Sequence, residues 1–497
     1  MPLRLALAAL IAGLCACAVG PDFKRPAAPT AAGYGSAPMQ GATVAAEGAG
    51  DAQRFVADLD IPAQWWTLFE SPQLNYLVET ALKSNPNVGA AQAALRQAHE
   101  WSAAQWTGFF PTVSGSFDAT RAKNAIGTIA NPTNLPQANP YYNLYTAQLN
   151  ISYMPDVFGG TRRALEMARA QEGGLRFALE ATYLSLTSNV VVTAIQEASL
   201  RGQIAATERM LTLQGELTGK VRAQRVLGTA SDLDVLAQES AEAQIAQTLP
   251  PLQKQLGQSR DALTALLGRL PSDEPTQTFR LEDLTLPIQI PVSVPSKLIE
   301  QRPDVRQAEE DMHVASAAVG VATANLLPQF AINADVGSSA LALGQLFSPY
   351  TGFWAVGASL TQTLFDAGAL LHKRRAADAA LDQAALQYRA AVILACQNVA
   401  DSLRALESDA QALKASAAAE RAAKATFELA QRQRELGTLT LVAVLNAEQA
   451  YLQAQLAKVQ AQANRYADTA ALFQALGGGW WNRTEEPRFE RSSPAGE

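Results

Sequence analysis

The stretch QRVLGTASDLDVLAQ at residues 224–238 returns as QRELGTLTLVAVLNA at residues 433–447. Each copy lies between long alanine-rich segments whose apolar residues recur at helical spacing, so each reads as a tight turn between two helices. A turn written twice in one chain raises the question of how much else is written twice.

The repetition is extensive. NPNV at 85–88 is followed by FFPTV, with Pro86 and Pro111 separated by 25 positions, and RPDV at 302–305 is followed by LLPQF, with Pro303 and Pro328 also 25 apart. Phe158 in DVFGG matches Phe365 in TLFDAG at an offset of 207, while Gly228 matches Gly437 and Gly268 matches Gly477 at offsets of 209. Two halves of one design follow, as expected for an internal structural repeat.

Each half has the same plan. An alanine-rich helix runs from the first proline to the second, which stops it. Two alternating stretches come next. In YTAQLNISY, Tyr145, Ala147, Leu149, Ile151 and Tyr153 point one way, and Thr146, Gln148, Asn150 and Ser152 the other. The predicted strands are 112–121 and 143–153 in the first half, and 329–338 and 353–364 in the second. Long helices over 158–227 and 367–436 follow, each about 105 Å at 1.5 Å per residue. Such a helix exceeds any compact globule. Each turns at the LGT phrase and comes back through a return helix, 231–268 or 440–477. In the first of these Pro250 and Pro251 are expected to interrupt the helix, and Gly173 and Gly174 to weaken the long helix before it.

The two repeats span 86–268 and 303–477. A belt is expected from segment 61–85, the proline-rich linker 269–302 and the C-terminal tail 478–497. Ahead of them, residues 1–16 carry one positive charge at Arg4, an apolar run from Leu5 to Leu14 and small residues at the end, the layout of a secretory leader. Leu14-Cys15-Ala16-Cys17 resembles a bacterial lipobox with Cys17 as the lipid-bearing residue, and Ala18 after it implies the outer membrane. Residues 17–60, rich in Pro, Ala and Gly, read as a tether from that anchor. Cys396 has no partner cysteine and reads as a small buried helix residue.

Composition narrows the function. The chain has 497 residues, 48% hydrophobic and 17% charged, with a net charge of -7, so a folded core is expected and no basic footprint exists for nucleic acid. His99, His313 and His372 are the only histidines and lack metal-ligand spacing, and no Walker loop, nucleophile elbow or dinucleotide fingerprint occurs. Neither an enzyme nor a cofactor is expected. After the leader no apolar run reaches 18 residues, whereas four strands of nine or more have the length to cross a bilayer as a tilted barrel. Four strands cannot close, because the smallest barrels have about eight, so the chain must oligomerise. Apolar strand residues then face lipid, and Thr146, Gln148, Asn150, Ser152, Asn333, Asp335, Thr361 and Thr363 a wet lumen.

The lipobox with VGPDFKRP after it, WWTLFESPQLNYLVETALKSNPNV, QRPDV, LFDAG and the paired LGT turns resemble the outer-membrane factor family of tripartite efflux pumps, in its lipoprotein branch. The resemblance implies a mainly α fold with membrane β: a homotrimer whose 12 strands form one β-barrel, four strands per chain, continued by a long periplasmic α-helical barrel. It further implies a passive conduit for small molecules, set in outer-membrane lipid and docked to a periplasmic adaptor and an inner-membrane pump. The docking tips are then Arg225, Leu227, Gly228 and Thr229, and Arg434, Leu436, Gly437 and Thr438. Gly supplies the left-handed turn position, Thr the cap of the returning helix and Arg a charged tip. Family members carry aspartates after the second turn as a gate; here Ala443 and Asn446 stand there, and the gate candidates become Asp232 and Asp234 at the first tip together with Asn446. Two other readings stay open, an exit duct for protein secretion and a lipid-anchored periplasmic coiled-coil scaffold.

Overall fold

The structure, a computed structural model, describes residues 18–31, 33–35, 41–46, 50–57, 59–123 and 141–483. The leader, Cys17, the loop at 124–140 and the tail from 484 onward lie outside these residues.

In chain order the elements are β1 (Arg54–Ala57), α1 (Pro72–Ser84), α2 (Pro86–Trp106), β2 (Thr112–Lys123), β3 (Tyr141–Tyr153), α3 (Gly160–Val226), α4 (Asp232–Ala246) and α5 (Leu249–Leu266). They continue with β4 (Gln289–Val292), α6 (Pro295–Gln301), α7 (Pro303–Ala324), β5 (Gln329–Ala340), β6 (Gly352–Thr361), α8 (Ala369–Glu435) and α9 (Leu441–Ala475). The long helices α3 and α8 have 67 residues each. Gly173 and Gly174 leave α3 unbroken, since its hydrogen-bonded register continues through them. One 18-residue window of α3 reaches a mean hydropathy of 1.2 without being an unbroken apolar run, and half of it is buried inside the chain.

The chain divides into two compact units. The first comprises Met1–Arg25, Gln97–Gly173 and Glu309–Gln387. Its centre is an antiparallel sheet in the order β2-β3-β5-β6, so the two hairpins of the two repeats pair through β3 and β5. β6 ends at Thr361 and leaves Thr363 outside the sheet; the Gln362 amide instead donates to the carbonyls of Leu326 and Thr363. The long helices start on acidic caps. Asp156 accepts from the amides of Thr161 and Arg162 at 2.9 Å, and Asp366 from those of Gly368 and Leu370 at 2.9 and 2.7 Å. Both satisfy amides that a helix N-terminus leaves without partners.

The second unit comprises Pro26–Arg96, Gly174–Ala308 and Tyr388–Glu497. Here the duplication is visible in how helices end. At Gly268 and Gly477 the backbone turns left-handed, with φ of 71° and 96°, and a Cβ at either would overlap a backbone carbonyl, that of Ser84 or of Gln301. Those carbonyls lie two residues before Pro86 and Pro303, which begin the short helices. Side chains tie the same junctions: Asn85 donates to the Leu266 carbonyl at 2.9 Å, and Arg302 to the Ala475 carbonyl at 3.0 Å. Each return helix thus ends against the start of a short helix, in two copies.

The first return path is two helices, α4 and α5, where one was expected over 231–268. The break falls at Gln247–Thr248, because Pro250 and Pro251 lack the N–H groups that would continue α4 and fit the first turn of α5. The belt is built around Arg465, buried with its guanidinium on Gln53 and Thr43, while Gln53 reaches Thr469 and the Pro287 carbonyl. Trp65 stacks on Phe473 at 5.4 Å. β1 pairs in parallel with β4, Arg54 opposite Gln289, so residues 41–46 and 50–57 are folded into the belt and not a free tether. The tail is likewise docked as far as it is described: Asn482 donates to the Ile61 carbonyl, and Arg483 pairs with Glu180 at 3.0 Å.

Candidate functional site

The conduit expected from the sequence would need a wall and a mouth. The wall is legible in the sheet. Residues paired across antiparallel strands share a face, so Thr146 with Ser339, Asn150 with Asp335 and Ser152 with Asn333 define one side, which Ser114, Ser116 and Asp118 extend on β2. This side is polar and bonded to itself. Thr146 Oγ1 and Ser339 Oγ are 3.0 Å apart, Gln148 Nε2 donates to Asn150 Oδ1 at 2.7 Å, and Asn150 Nδ2 to Ser116 Oγ at 3.3 Å. Thr361 sits on the same face opposite Gln329. Of the predicted lumen residues only Thr363 falls outside the strands.

The opposite face is apolar over its middle and helix-side part, with Val113 and Phe117 on β2, Leu149 and Ile151 on β3, Ile332 and Val336 on β5, and Trp354, Val356 and Leu360 on β6, and turns polar at its far end, where Arg121 stands opposite Asn143. Nothing among the described residues covers it. Trp354 is 77% exposed and Val356 69%. Contiguous apolar surface of that kind marks a membrane or a protein partner, and alternation over 10 to 13 residues matches a bilayer-crossing strand.

The mouth candidates lie in the second unit. Both LGT turns close by the same bonds. Gly228 and Gly437 have φ of 73° and 76°. Gly228 N–H donates to the Arg225 carbonyl and Thr229 N–H to that of Gln224; Gly437 N–H donates to Arg434 and Thr438 N–H to Gln433. These are Schellman ends, which a glycine permits at no steric cost. The threonines act differently from the expectation. The hydroxyls of Thr229 and Thr438 donate at 3.0 Å to the carbonyls of Gln224 and Gln433, so they finish the outgoing helix and do not cap the returning one. The cap of α4 is Ser231, and α9 begins after Thr440, whose side chain makes no capping bond.

The acidic candidates are held within the first tip. Ser231 and Asp234 form a capping box, and the Ser231 amide, its hydroxyl and the nearby charge of Arg434 hold the Asp234 carboxyl below the usual carboxylate range. Asp232 pairs with Arg225 across the turn. Arg434 itself donates to the Leu439 carbonyl within the second tip at 3.4 Å. Asn446 is exposed one and a half turns into α9 and Ala443 is partly buried. Leu227 and Leu436, each 78% exposed, stand at the turns, with Val226, Leu233 and Val442 also exposed nearby. Both tips present exposed apolar surface, and at the first the charges of Arg225, Asp232 and Asp234 are bound within the tip. Ser231 was the residue the sequence reading missed; Ser followed by Asp three places on, ahead of an apolar run, was its signal.

His99 pairs with Glu172 at 2.8 Å and His313 with Glu166 at 3.0 Å, and among the described residues no group of three or more His, Cys, Asp or Glu is placed to hold a metal ion. Cys396 is a free thiol in α8, half-buried where full burial was expected.

A family model described as outer membrane efflux protein matches residues 77–269 and again 294–478, the two repeats. The chain belongs to the outer membrane efflux protein family. The pyoverdine export outer membrane protein OpmQ of Pseudomonas putida is 30% identical over 419 residues, 84% of this chain and 88% of that one. The probable efflux pump outer membrane protein TtgC of the same organism is 27% identical over 494 residues, 99% of this chain and 98% of the relative. Among solved structures, the outer-membrane channel OprN superposes with a TM-score of 0.82 at 27% identity, over 93% of this chain and all of that one. The Campylobacter jejuni CmeC outer membrane channel gives 0.83 at 22% identity, over 93% and 95%, and shows the fold alone. The family and these relatives make the chain an outer-membrane efflux channel.

Proposed function

We propose that three copies of this chain close one β-barrel and act as the passive outer-membrane conduit of a tripartite efflux system. The observation that carries this is the four-stranded sheet with one polar and one uncovered apolar face, whose outer strands β2 and β6 each pair on one side only among the described residues. An open edge in a bilayer leaves amides and carbonyls without partners, which costs several kcal/mol per group, so only closure is stable there. Three chains of four strands give twelve, above the minimum of about eight for a barrel.

Lipid on Cys17 anchors the N-terminus to the outer membrane in this reading. The tips at Arg225–Thr229 and Arg434–Thr438 dock a periplasmic adaptor that joins the channel to an inner-membrane pump, and Asp232 and Asp234, with Asn446 opposite, set the charge of the resting mouth. Relatives named for pyoverdine and toluene export support small organic molecules as cargo. The test is a gel of membrane extracts, unheated and heated. A trimer-sized band that collapses to monomer on heating is the expected result; monomer in both lanes sinks the reading.

A further inference from the structure

The apolar side of the sheet ends on two cations. Arg121 and Lys123 share the face of Val113 and Phe117 on β2, since alternate residues of a strand point the same way. Arg121 stands opposite Asn143, and Lys123 opposite Tyr141, with its ammonium 5.2 Å from the centre of that ring. Both cations are exposed. No other residue is charged over 119–155 or over 336–365, so the sequence of neither hairpin supplies a carboxylate at this end to neutralise them. The acids of the sheet, Asp118 and Asp335, lie on the polar side.

Their height on the wall is definite. Val113 stands at the helix-side end of the face, and Arg121 and Lys123 follow it at about 27 and about 34 Å along the strand, at about 3.4 Å per residue. In a barrel strand tilted by about 40° these lengths become about 21 and about 26 Å of height. The apolar band of a membrane barrel is about 25 Å tall, so the two cations bracket its edge at the end away from the helices. A cation there meets headgroups and not acyl chains. Tyr141 and Tyr145, on the same face, stand where the aromatic girdle of such barrels lies.

We infer that Arg121, Lys123 and Tyr141 form a site for the phosphate-bearing headgroup of an outer-leaflet lipid. The guanidinium presents a fork that matches two phosphate oxygens, and the ammonium adds a second charge about 7 Å along the strand. The face below them is apolar, so the acyl chains of the same lipid run down over Phe117 and Leu149. A soluble anion lacks that second contact. The inference rests on the barrel reading above, which turns this end of the sheet toward the outside.

The purified full-chain channel in neutral detergent is mixed with lipid A carrying its phosphates, with lipid A stripped of them, and with the phosphorylated lipid plus excess inorganic phosphate, and bound lipid per trimer is counted by native mass spectrometry. The wild type is expected to retain the phosphorylated lipid about tenfold better than the stripped one, with no loss to inorganic phosphate. This comparison needs no variant. Arg121→Gln with Lys123→Gln is expected to abolish the preference, and Arg121→Lys with Lys123→Arg, which keeps both charges, to retain most of it. Equal retention of the two lipids, displacement by inorganic phosphate, or an unchanged preference in the Gln variant overturns the inference. Wild-type protein that runs as monomer in the unheated gel separately removes the barrel reading on which it stands.

Discussion

Asp234 accepts hydrogen bonds from both the amide and the hydroxyl of Ser231, at 2.9 and 2.8 Å, and the Ser231 hydroxyl receives the Asp234 amide at 3.2 Å. The gate candidate is thus also the structural lock of the first tip. Ser231→Ala removes a helix cap worth about 1 kcal/mol, and Asp234→Asn removes the charge that Arg434 feels. Both are expected to raise amide exchange at the start of α4, and Asp234→Asn alone to raise the open probability of single channels in a lipid bilayer. Equal exchange in wild type and Ser231→Ala contradicts the capping role.

The junction glycines carry the duplication. Gly268→Ala or Gly477→Ala forces a Cβ onto a left-handed backbone and into a carbonyl oxygen, and strain of this kind costs about 1–3 kcal/mol. Each variant is expected to lower the melting temperature of the purified channel, and Gly257→Ala, which meets nothing within 4 Å, to leave it unchanged or raise it. Thermal melts of the three variants beside wild type decide this.

Much of this was legible in the sequence for a physical reason. Strand alternation was visible because one face must be apolar for lipid and the other polar, and glycines at matching offsets because left-handed turns admit few other residues. What was missed depends on contacts between distant residues. Asp22 and Arg163 are 141 positions apart, and no local pattern marks 18–25 as docked. The parallel pairing of β1 with β4 covers four residues per strand, too few for a period to show. Thr229 was misassigned because Thr favours both ends of a turn, and only the hydrogen bond tells which.

Acidity has a predictable effect on the second hairpin. Glu448 of α9 is 2% exposed, and burial pushes its carboxyl from the ordinary 4.5 up to about 7. The folded state therefore holds this proton more tightly than the unfolded one. Stability falls as pH rises from about 4.5 to about 7 and levels off above, a loss of about 3 kcal/mol at 1.4 kcal/mol per pH unit. Glu448→Gln is expected to match wild type in melts at pH 4 and to exceed it at pH 8. Parallel curves at both pH values contradict the assignment.

The two sheet faces should respond oppositely to charge. Val356→Arg places a cation on the uncovered apolar side, where the midplane cost is about 2–4 kcal/mol, and is expected to reduce membrane-inserted channel severalfold. Asn150→Arg, on the polar side beside Asp335, is expected to insert normally and to shift the reversal potential toward anion selectivity. Reduced insertion for Asn150→Arg, with Val356→Arg inserting as wild type, would invert the proposed wall.

The central claim is closure of β2 from one copy on β6 of the next. Cysteines at Ser114, Ser116 or Asp118, paired in turn with cysteines at Ala355, Gly357 or Ser359, place one thiol on each outer strand of the polar face. After oxidation in membranes, boiled and run without reductant, at least one combination is predicted to give a covalent trimer that returns to monomer with reductant, while the wild-type chain with Cys396 alone does not. Monomer from all nine combinations, with each variant inserted in the membrane, would contradict a trimeric barrel.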